Sequence, residues 1–409
     1  MINTNILIIG AGPAGTSAAL FLAQHGVSST IVDKAVFPRD KICGDALSGK
    51  VVEVLNKLNV DYVEELTSHK QFLGSWGVTF VAPNGQSLRI PFKSSKTEIK
   101  KAPGFIAKRI DFDNWLFEKA KANPLIETLE GCEIRKFERI TDGITAYSTN
   151  GTQITAKLII ACDGAYSTFA KDIAGLQTEP AHNCFGLRAY YKNVSGLDAQ
   201  NFIELHFIKD ILPGYFWIFP LPDGYANVGI GMRADKMSAQ KINLKKSFER
   251  LVSEHPSIRQ RFENARLQGD VKLFGLPLGS KKRKISGNNY LLCGDAAQLI
   301  DPFTGEGIGN AMMSGMYAAH QAVLCLAQSN FSENFNQQYN TALYNRLWSE
   351  LLLSYRMQQL VNYPSLFNFV VHKANANALL RETISCMFED LDMRARLKNP
   401  LFYLKLLFS

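Results

Sequence analysis

The chain lacks several features that would assign it to common protein classes. It has seven cysteines among 409 residues, and none of them form a C-x-x-C pair. Its seven histidines show no H-x-x-H or H-E-x-x-H spacing, and no G-x-S-x-G sequence occurs. We therefore expect no disulfide framework, no metal site and no serine nucleophile. Reduced thiols favour a cytoplasmic protein.

Long apolar runs are also missing. No stretch reaches the roughly twenty apolar residues that a bilayer span requires, and the first residues show no pattern of a signal peptide. The composition, 46% hydrophobic and 20% charged, is that of a globular protein. The net charge of +8 suits an anionic partner. Because the basic residues are scattered, no nucleic-acid partner is predicted.

The strongest positive signal lies at the start of the chain. An apolar run at residues 5–9 leads into G-A-G-P-A-G at residues 10–15, and a helical spacing and a second apolar strand follow, ending at Asp33. Gly10 would make the tight turn, Gly12 would let the backbone approach a pyrophosphate, and Gly15 would allow close packing of helix and strand. Asp33 would accept the ribose hydroxyls. The unit predicts a dinucleotide site.

Two later strands repeat this arrangement. Residues 158–160 are apolar and lead to Asp163-Gly164, and residues 290–293 lead to Gly294-Asp295. After a short loop, the glycine-rich residues 302–309 open a predicted helix at 308–327, whose N-terminal amides can hold an anion or a polarised carbonyl. Ligands of open α/β sheets bind at the carboxyl ends of the strands, so these segments are predicted to meet there.

Other segments have the alternation of a second sheet. Residues 76–91 predict a hairpin, and residues 185–274 are rich in aromatic strands. We predict an α/β fold in which a Rossmann-like domain (1–71, 104–180 and 281–330) carries an inserted, mainly antiparallel β-sheet substrate domain (72–103 and 181–280). A helical C-terminal region (331–409) follows.

Two further elements are candidates for the ligand site. The loop at residues 37–44 follows the dinucleotide motif, and such long loops usually serve the ligand. Arg109 precedes a predicted helix at residues 114–121, where its guanidinium can reach a phosphate. The alternative for Arg109 is a surface side chain that caps local carbonyls.

With these motifs in view, the chain resembles the FAD-dependent oxidoreductases of the p-hydroxybenzoate hydroxylase fold, and within them the geranylgeranyl reductase family. The resemblance covers about the first 320 residues. It implies that Asp295 faces the ribityl chain and that the Cys-Gly end of the 37–44 loop lies near the isoalloxazine. The residues implied in FAD binding are Gly10, Gly12, Pro13, Ala14, Gly15, Asp33, Lys34, Lys41, Cys43, Gly44, Arg109, Asp163, Gly164, Gly294, Asp295, Pro302, Gly305, Gly307 and Ile308.

The sequence YFWIFP at residues 215–220 is similar to the Y-x-W-x-F-P motif of these reductases, and it differs from the W-x-W-x-I-P of flavin-dependent halogenases. The resemblance implies substrate contacts for Tyr215, Trp217, Phe219 and Pro220. The alternative is an aromatic strand that fills a sandwich core. The chain departs from the family at Asp45, because many members continue Cys-Gly-Gly where this sequence reads Cys-Gly-Asp.

The resemblance implies a FAD-dependent enzyme that reduces carbon–carbon double bonds in a prenyl chain carried by a lipid or a quinone-like head. Cys43 and Tyr215 are the candidate proton donors. The electron donor would be NAD(P)H or a ferredoxin-like protein, since no second nucleotide-binding unit is visible. Two alternatives remain open: a FAD-dependent aromatic hydroxylase, and a flavin-binding redox protein without turnover.

The last residues also carry a pattern. Leu397, Leu401, Leu404 and Phe408 define one apolar face of a predicted helix at residues 396–409. Such a face can make peripheral contact with a membrane, pack on a partner subunit or cover the core.

Overall fold

The computed structural model describes residues 1–92 and 101–385. The predicted helix at residues 396–409 lies outside them. The strands are β1 (Ile2–Ile9), β2 (Ser29–Val32), β3 (Ala46–Leu47), β4 (Leu73–Ser75), β5 (Gly77–Val81), β6 (Ser87–Pro91), β7 (Gly104–Ile106), β8 (Ile126–Leu129), β9 (Ile134–Ile140), β10 (Gly143–Ser148), β11 (Gln153–Ala161), β12 (Asn183–Lys192), β13 (Ile203–His206), β14 (Tyr215–Pro220), β15 (Tyr225–Arg233), β16 (Arg266–Pro277), β17 (Ser286–Gly287) and β18 (Tyr290–Leu292).

The helices follow the same chain order. They are α1 (Pro13–Gln24), α2 (Gly49–Leu58), α3 (Val60–Ser68), α4 (Arg109–Lys121), α5 (Thr168–Asp172), α6 (Ala234–Ala239), α7 (Leu244–Glu254), α8 (Arg259–Phe262), α9 (Ile308–Ala327), α10 (Glu333–Leu360), α11 (Pro364–Ala376) and α12 (Ala378–Ser385). None of the helices in the described part of the chain has both the length and the apolar composition needed to cross a bilayer.

The first sheet has parallel strands at its centre. Its order is β17-β18-β11-β1-β2-β8, with β10 and β9 attached to β11 as an antiparallel extension. Strand β1 pairs in parallel with β11 and β2, and its residues 6–9 are buried. Their continuous apolar run is typical of a strand that is covered on both faces. The carboxyl ends of β1, β11 and β18 therefore lie side by side, as predicted.

The second sheet is mainly antiparallel, as predicted, and has the order β16-β12-β15-β14-β13-β5-β6. Its one parallel pair joins β13 to β5. Side chains of β14 alternate between two cores: Phe216 and Ile218 pack with α7, whereas Trp217 and Phe219 face the other side. This alternation follows from the two-residue period of a strand.

Helices α1 and α9 cross in close contact above the first sheet. A Cβ atom added at Gly315 of α9 would lie 2.2 Å from the carbonyl oxygen of Ala14 in α1. Only glycine allows the two backbones to approach this closely. The crossing fixes the first glycine-rich motif against the helix that follows the second.

The structure differs from the sequence predictions in two places. Helix α4 begins at Arg109 rather than at residue 114, with Asp111 in its first turn where a negative charge is favourable. In addition, β3, β4 and β7 form a small separate sheet. The three short segments lack the period-two alternation by which a strand is recognised, so they were not predicted.

Candidate active site

A cavity of about 580 Å³ lies between the two sheets. Its size is that of a ligand pocket. The residues that line it come from all three predicted motifs, the 37–44 loop and strand β14. Predicted cofactor residues among them are Gly10, Gly12, Pro13, Ala14, Asp33, Lys34, Lys41, Cys43, Gly44, Arg109, Asp163, Gly164, Gly294, Asp295, Pro302, Gly305, Gly307 and Ile308.

Backbone geometry shapes the end of the cavity at β1. Gly10 has a φ of +97°, and an added Cβ would lie 2.4 Å from the carbonyl oxygen of Cys162. Gly12 lines the cavity. Among the described residues outside its immediate chain neighbours, a Cβ added there would meet only the Arg39 guanidinium, at 3.4 Å. The main chain is thus open to a ligand at the start of α1, as a pyrophosphate requires.

Asp33 and Asp163 are both held by nearby donors. Asp33 accepts the main-chain N–H of Ala11 at 2.8 Å, which fixes the carboxylate beside the glycine turn. Asp163 accepts the Ser167 hydroxyl at 2.5 Å. Burial raises the pKa of Asp163, and hydrogen bonds from Ser167 and the main chain oppose this shift.

The 37–44 loop reaches across to the second strand motif. Lys41 Nζ lies 3.2 Å from Asp295 Oδ2. This ion pair joins two predicted cofactor residues that are far apart in sequence. It also places a donor and an acceptor together at the cavity wall.

Arg109 is buried, with 3% of its surface exposed. Its guanidinium binds Asp113 through two hydrogen bonds, at 2.6 and 2.7 Å, and Asp113 also binds Arg39 at 2.8 Å. Burial disfavours the charged form, but Asp113 and the Cys43 thiol outweigh it, so the pKa of Arg109 is raised. The alternative of a surface arginine is wrong, because this side chain is inside the protein and pairs with Asp113.

Strand β14 forms an aromatic wall on the opposite side. Tyr215, Trp217 and Phe219 all line the cavity. The Tyr215 hydroxyl donates to the carbonyl of Thr304 at 2.6 Å, and burial raises its pKa. Trp217 donates from Nε1 to Asn227 Oδ1 at 2.8 Å. These bonds fix two of the rings.

Phe219 packs on the 37–44 loop. A Cβ added at Gly44 would lie 2.9 Å from its ring, so glycine is needed where loop and wall meet. Two predicted residues do not line the cavity. Pro220 falls on the alternate side of β14, because strand side chains alternate. Gly15 instead packs α1 against the β1 turn, where an added Cβ would lie 1.9 Å from the carbonyl oxygen of Gly10.

Sequence reasoning missed several polar residues of the wall. Arg188, on β12, is buried and binds Asp40 through two hydrogen bonds, at 2.9 and 3.0 Å. Glu306 accepts the main-chain N–H of Gly309 at 2.6 Å and the Ser48 hydroxyl at 3.1 Å. An arginine inside an otherwise apolar strand was the available signal for Arg188. Glu306 lay within a recognised motif, but nothing in its spacing indicated its bonds to Ser48 and Gly309.

Asp45, at which the sequence departs from the family pattern, also lies in this wall. It lines the cavity, is fully buried and has a φ of +69°. Tyr190 and Asn227 donate hydrogen bonds to its Oδ2, at 2.7 and 2.8 Å. Burial raises the pKa of Asp45 to about 6.

Comparison with known families agrees with this geometry. A family model for the FAD binding domain matches residues 3–202, and one for the geranylgeranyl reductase catalytic domain matches residues 184–268. Together with the glycine turn and the open backbone at Gly12, these matches define a FAD-dependent oxidoreductase. The second match includes the aromatic wall of β14. Over these residues the chain is similar to the geranylgeranyl reductase family of FAD-dependent oxidoreductases.

Individual relatives extend over most of the chain. It is 28% identical to the digeranylgeranylglycerophospholipid reductase of Methanococcus vannielii, over 95% of this chain and 92% of that one. It is 25% identical to the menaquinone reductase of Mycobacterium tuberculosis, over 78% and 76% respectively. In fold it is similar to a geranylgeranyl bacteriochlorophyll reductase-like protein from Thermoplasma acidophilum, with a TM-score of 0.79, 23% identity and coverage of 94% and 96%.

Proposed function

We propose that the enzyme reduces carbon–carbon double bonds in a prenyl chain attached to a lipid or quinone-like head. One observation carries the proposal: the cavity is continuous from the glycine-rich motifs to the aromatic wall of β14. Bound FAD in its reduced form supplies the hydride. The relatives from M. vannielii and M. tuberculosis are named for reduction of a prenylated phospholipid and of menaquinone, which supports a substrate of this class.

The wall suits an apolar chain. Trp217 and Phe219 line the cavity with aromatic rings, and the polar atoms of Tyr215 and Trp217 already have partners within the protein. Burial of an isoprenoid chain against such a surface contributes roughly 25 cal/mol per Å² without specific polar contacts. An unactivated alkene is a poor hydride acceptor, so exclusion of water and a positioned proton donor are needed.

Cys43 is our candidate for the group that protonates the second carbon. It lines the cavity at the end of the 37–44 loop, and its main-chain carbonyl is held by Asn227 Nδ2 at 2.7 Å. Tyr215 is the second candidate, but its hydroxyl proton is directed to the Thr304 carbonyl.

The decisive experiment is anaerobic. The purified protein is reduced chemically, mixed with geranylgeranylated phospholipid or menaquinone, and followed by the return of oxidised flavin absorbance. We expect reoxidation, together with a product that gains two hydrogen atoms per double bond by mass spectrometry.

Two results would replace this proposal. If no prenyl lipid reoxidises the flavin without oxygen, but an aromatic compound is hydroxylated when oxygen is admitted, the enzyme is a hydroxylase. If no donor reduces the flavin catalytically, the protein is a flavin-binding redox protein without turnover. Parallel assays with NADPH, NADH and reduced ferredoxin identify the electron donor, which we propose to be one of these.

We also propose that the enzyme works in the cytoplasm at a membrane surface. A lipid substrate must leave its bilayer, and α11 together with the residue before it exposes Tyr363, Leu366 and Phe369 at a helical spacing. Flotation with anionic liposomes tests this proposal. Equal flotation of the wild type and of a Leu366→Ser/Phe369→Ser variant would remove α11 as the contact. No flotation of the wild type would exclude the membrane association itself.

A further inference from the structure

Position 45 has a backbone conformation that glycine adopts most easily. The φ of Asp45 is +69°, in the left-handed region that residues with a Cβ seldom occupy, although aspartate tolerates it better than most. The side chain is also completely buried. Asp45 thus combines a backbone conformation that is unfavourable for a residue with a Cβ and a carboxyl group removed from bulk water. Both cost stability, which suggests that the residue has a function.

The two carboxyl oxygens of Asp45 have different surroundings. Oδ2 accepts two short hydrogen bonds, from Tyr190 Oη and Asn227 Nδ2. The amide orientation of Asn227 is fixed, because its Oδ1 accepts the Trp217 N–H. Oδ1 receives the longer bond, 3.3 Å, from the main-chain N–H of Arg109. An acid proton on this carboxyl group therefore belongs on Oδ1, since both donors already occupy Oδ2.

The charges around Asp45 are paired elsewhere. Arg109, at the start of α4, binds Asp113. Arg188, on β12, binds Asp40, which Lys272 of β16 also contacts at 3.2 Å. Both guanidiniums favour the carboxylate from a distance, but neither forms an ion pair with it among the described residues. Desolvation by burial is consequently the largest influence on Asp45, and it favours the protonated form.

Tyr190 holds the Asp45 carboxyl group from strand β12. The phenol is half-buried, with its hydroxyl on Oδ2 of Asp45. Lys108 Nζ lies 5.3 Å from the ring centroid and Arg188 lies over the ring at 4.1 Å. These two cations fix the ring, and the ring fixes the hydroxyl on the carboxyl group.

Arg109 connects Asp45 to Cys43. Its main-chain N–H points to Asp45 Oδ1, and its guanidinium and the Cys43 thiol influence each other electrostatically. Asn227 Nδ2 makes a second link, because it donates both to Asp45 Oδ2 and, at 2.7 Å, to the carbonyl oxygen of Cys43. The main chain of Cys43 and the Asp45 carboxyl group are thus held by the same amide.

We propose that Asp45 is the proton reservoir of the active site and that Tyr190 and Asn227 hold its carboxyl group in place. This inference rests on the proposed function. Bound reduced FAD would supply a hydride to one carbon of each double bond, and the Cys43 thiol supplies a proton to the other. The thiolate then takes the proton of Asp45 Oδ1 through water. The carboxylate regains a proton at Oδ1 from water in the cavity, which Asp45 lines.

The protonation of Asp45 can be measured without substrate or turnover. Infrared spectra of the oxidised holoenzyme are recorded across pH, and the spectrum of Asp45→Asn is subtracted. The subtraction is needed because burial also raises the pKa of Asp163, Asp301 and Glu306. We expect a protonated-carboxyl band in the wild type that disappears as pH rises through about 6.

Asp40→Asn is the matched control for the infrared experiment. The Asp40 carboxylate is paired with Arg188 and Lys272, and those partners outweigh burial and lower its pKa. The band should therefore persist in Asp40→Asn. In Tyr190→Phe the band should titrate at higher pH, because the carboxylate loses a donor. If the wild type and Asp45→Asn have identical carboxyl bands, Asp45 holds no proton and the proposal is wrong.

Kinetics test the use of that proton. With a prenyl lipid, wild-type kcat should fall as pH rises through the same midpoint, and this limb should be lost in Asp45→Asn, with kcat at least tenfold lower and KM unchanged. Unchanged kcat and an unchanged limb in Asp45→Asn would overturn the proposal. If the wild type reduces no prenyl lipid, the proposed function fails instead, and the infrared result still decides whether Asp45 holds a proton.

Discussion

The two ends of the cavity are built from different parts of the polypeptide. At the β1 end the surface is main chain, and glycines keep side chains away from the ligand. At the β14 end the surface is made of aromatic side chains, whose ring positions depend on hydrogen bonds to Thr304 and Asn227. A cofactor shared by many enzymes is thus held by backbone, while the part of the site that selects a substrate is held by replaceable side chains.

The largest effect should come from closing the backbone end. Gly12→Val places a branched side chain where the backbone is open to the cavity. In the described part of the chain, the new Cβ would have one neighbour within 4 Å beyond the adjacent residues, the flexible Arg39 guanidinium. We expect a folded protein that retains no FAD. Flavin absorbance after gel filtration measures the loss, and circular dichroism checks the fold.

Gly15→Ala is the contrasting variant. Its Cβ would collide with the carbonyl oxygen of Gly10 rather than with a ligand. This variant should lose stability as well as flavin. If Gly12→Val is equally unstable, the distinction between ligand-facing and packing glycines is wrong.

The side-chain end should respond differently. Trp217→Ala removes an indole that is 7% exposed, and the lost apolar contact should weaken prenyl-lipid binding by about 3 kcal/mol, roughly a hundredfold. FAD affinity should stay within about threefold. Titration calorimetry with each ligand measures both. Trp217→Phe retains a ring but loses the bond to Asn227, so its lipid affinity should lie between those of the wild type and Trp217→Ala. If either variant loses as much affinity for FAD as for lipid, the two ends of the cavity do not act separately.

Asp45 lies where the two ends of the cavity meet, and we expect it to make the free energy of unfolding depend on pH. Because burial raises the pKa of Asp45 from 3.8 to about 6, the native state binds this proton more tightly than the unfolded state. The contribution is full below about pH 4 and disappears as pH rises through 6, a loss of up to about 3 kcal/mol. Asp45→Asn should lack this part of the pH dependence. Denaturant titrations at constant FAD concentration measure the free energy of unfolding at each pH. If the wild type and Asp45→Asn lose stability in parallel as pH rises, the prediction is wrong.

Cys43→Ala should have the smallest effect. Removal of the thiol leaves the loop anchored through its carbonyl bond to Asn227, so we expect unchanged lipid and FAD affinity. Anaerobic reduction should slow by about tenfold, less than the roughly hundredfold that is the lower limit for loss of a general acid. Stopped-flow reoxidation measures the rate. A Cys43→Ser variant with a hydroxyl donor should recover part of it.

The sequence predicted the backbone end better than the side-chain end for a physical reason. Turns that need glycine, such as Gly10, leave a local signature, and the strand–glycine–helix order places them at one sheet edge. Arg188 became a site residue only through its contact with Asp40, and the position of Asp45 was recognised but its partners Tyr190 and Asn227, which are distant in sequence, were not. The burial of Arg109 was not predicted for the same reason. Its partner Asp113 is four residues away, but the residues that cover the pair come from distant parts of the sequence.

The crossing of α1 and α9 at Ala14 and Gly315 has a consequence for ligand choice. Each helix starts at one of the two glycine-rich segments, and their backbones touch so closely that neither start can shift alone. The span between the two anion-facing helix ends is therefore a fixed length rather than an adjustable one. We therefore expect the site to favour a dinucleotide long enough to reach both helix ends over a mononucleotide that reaches only one.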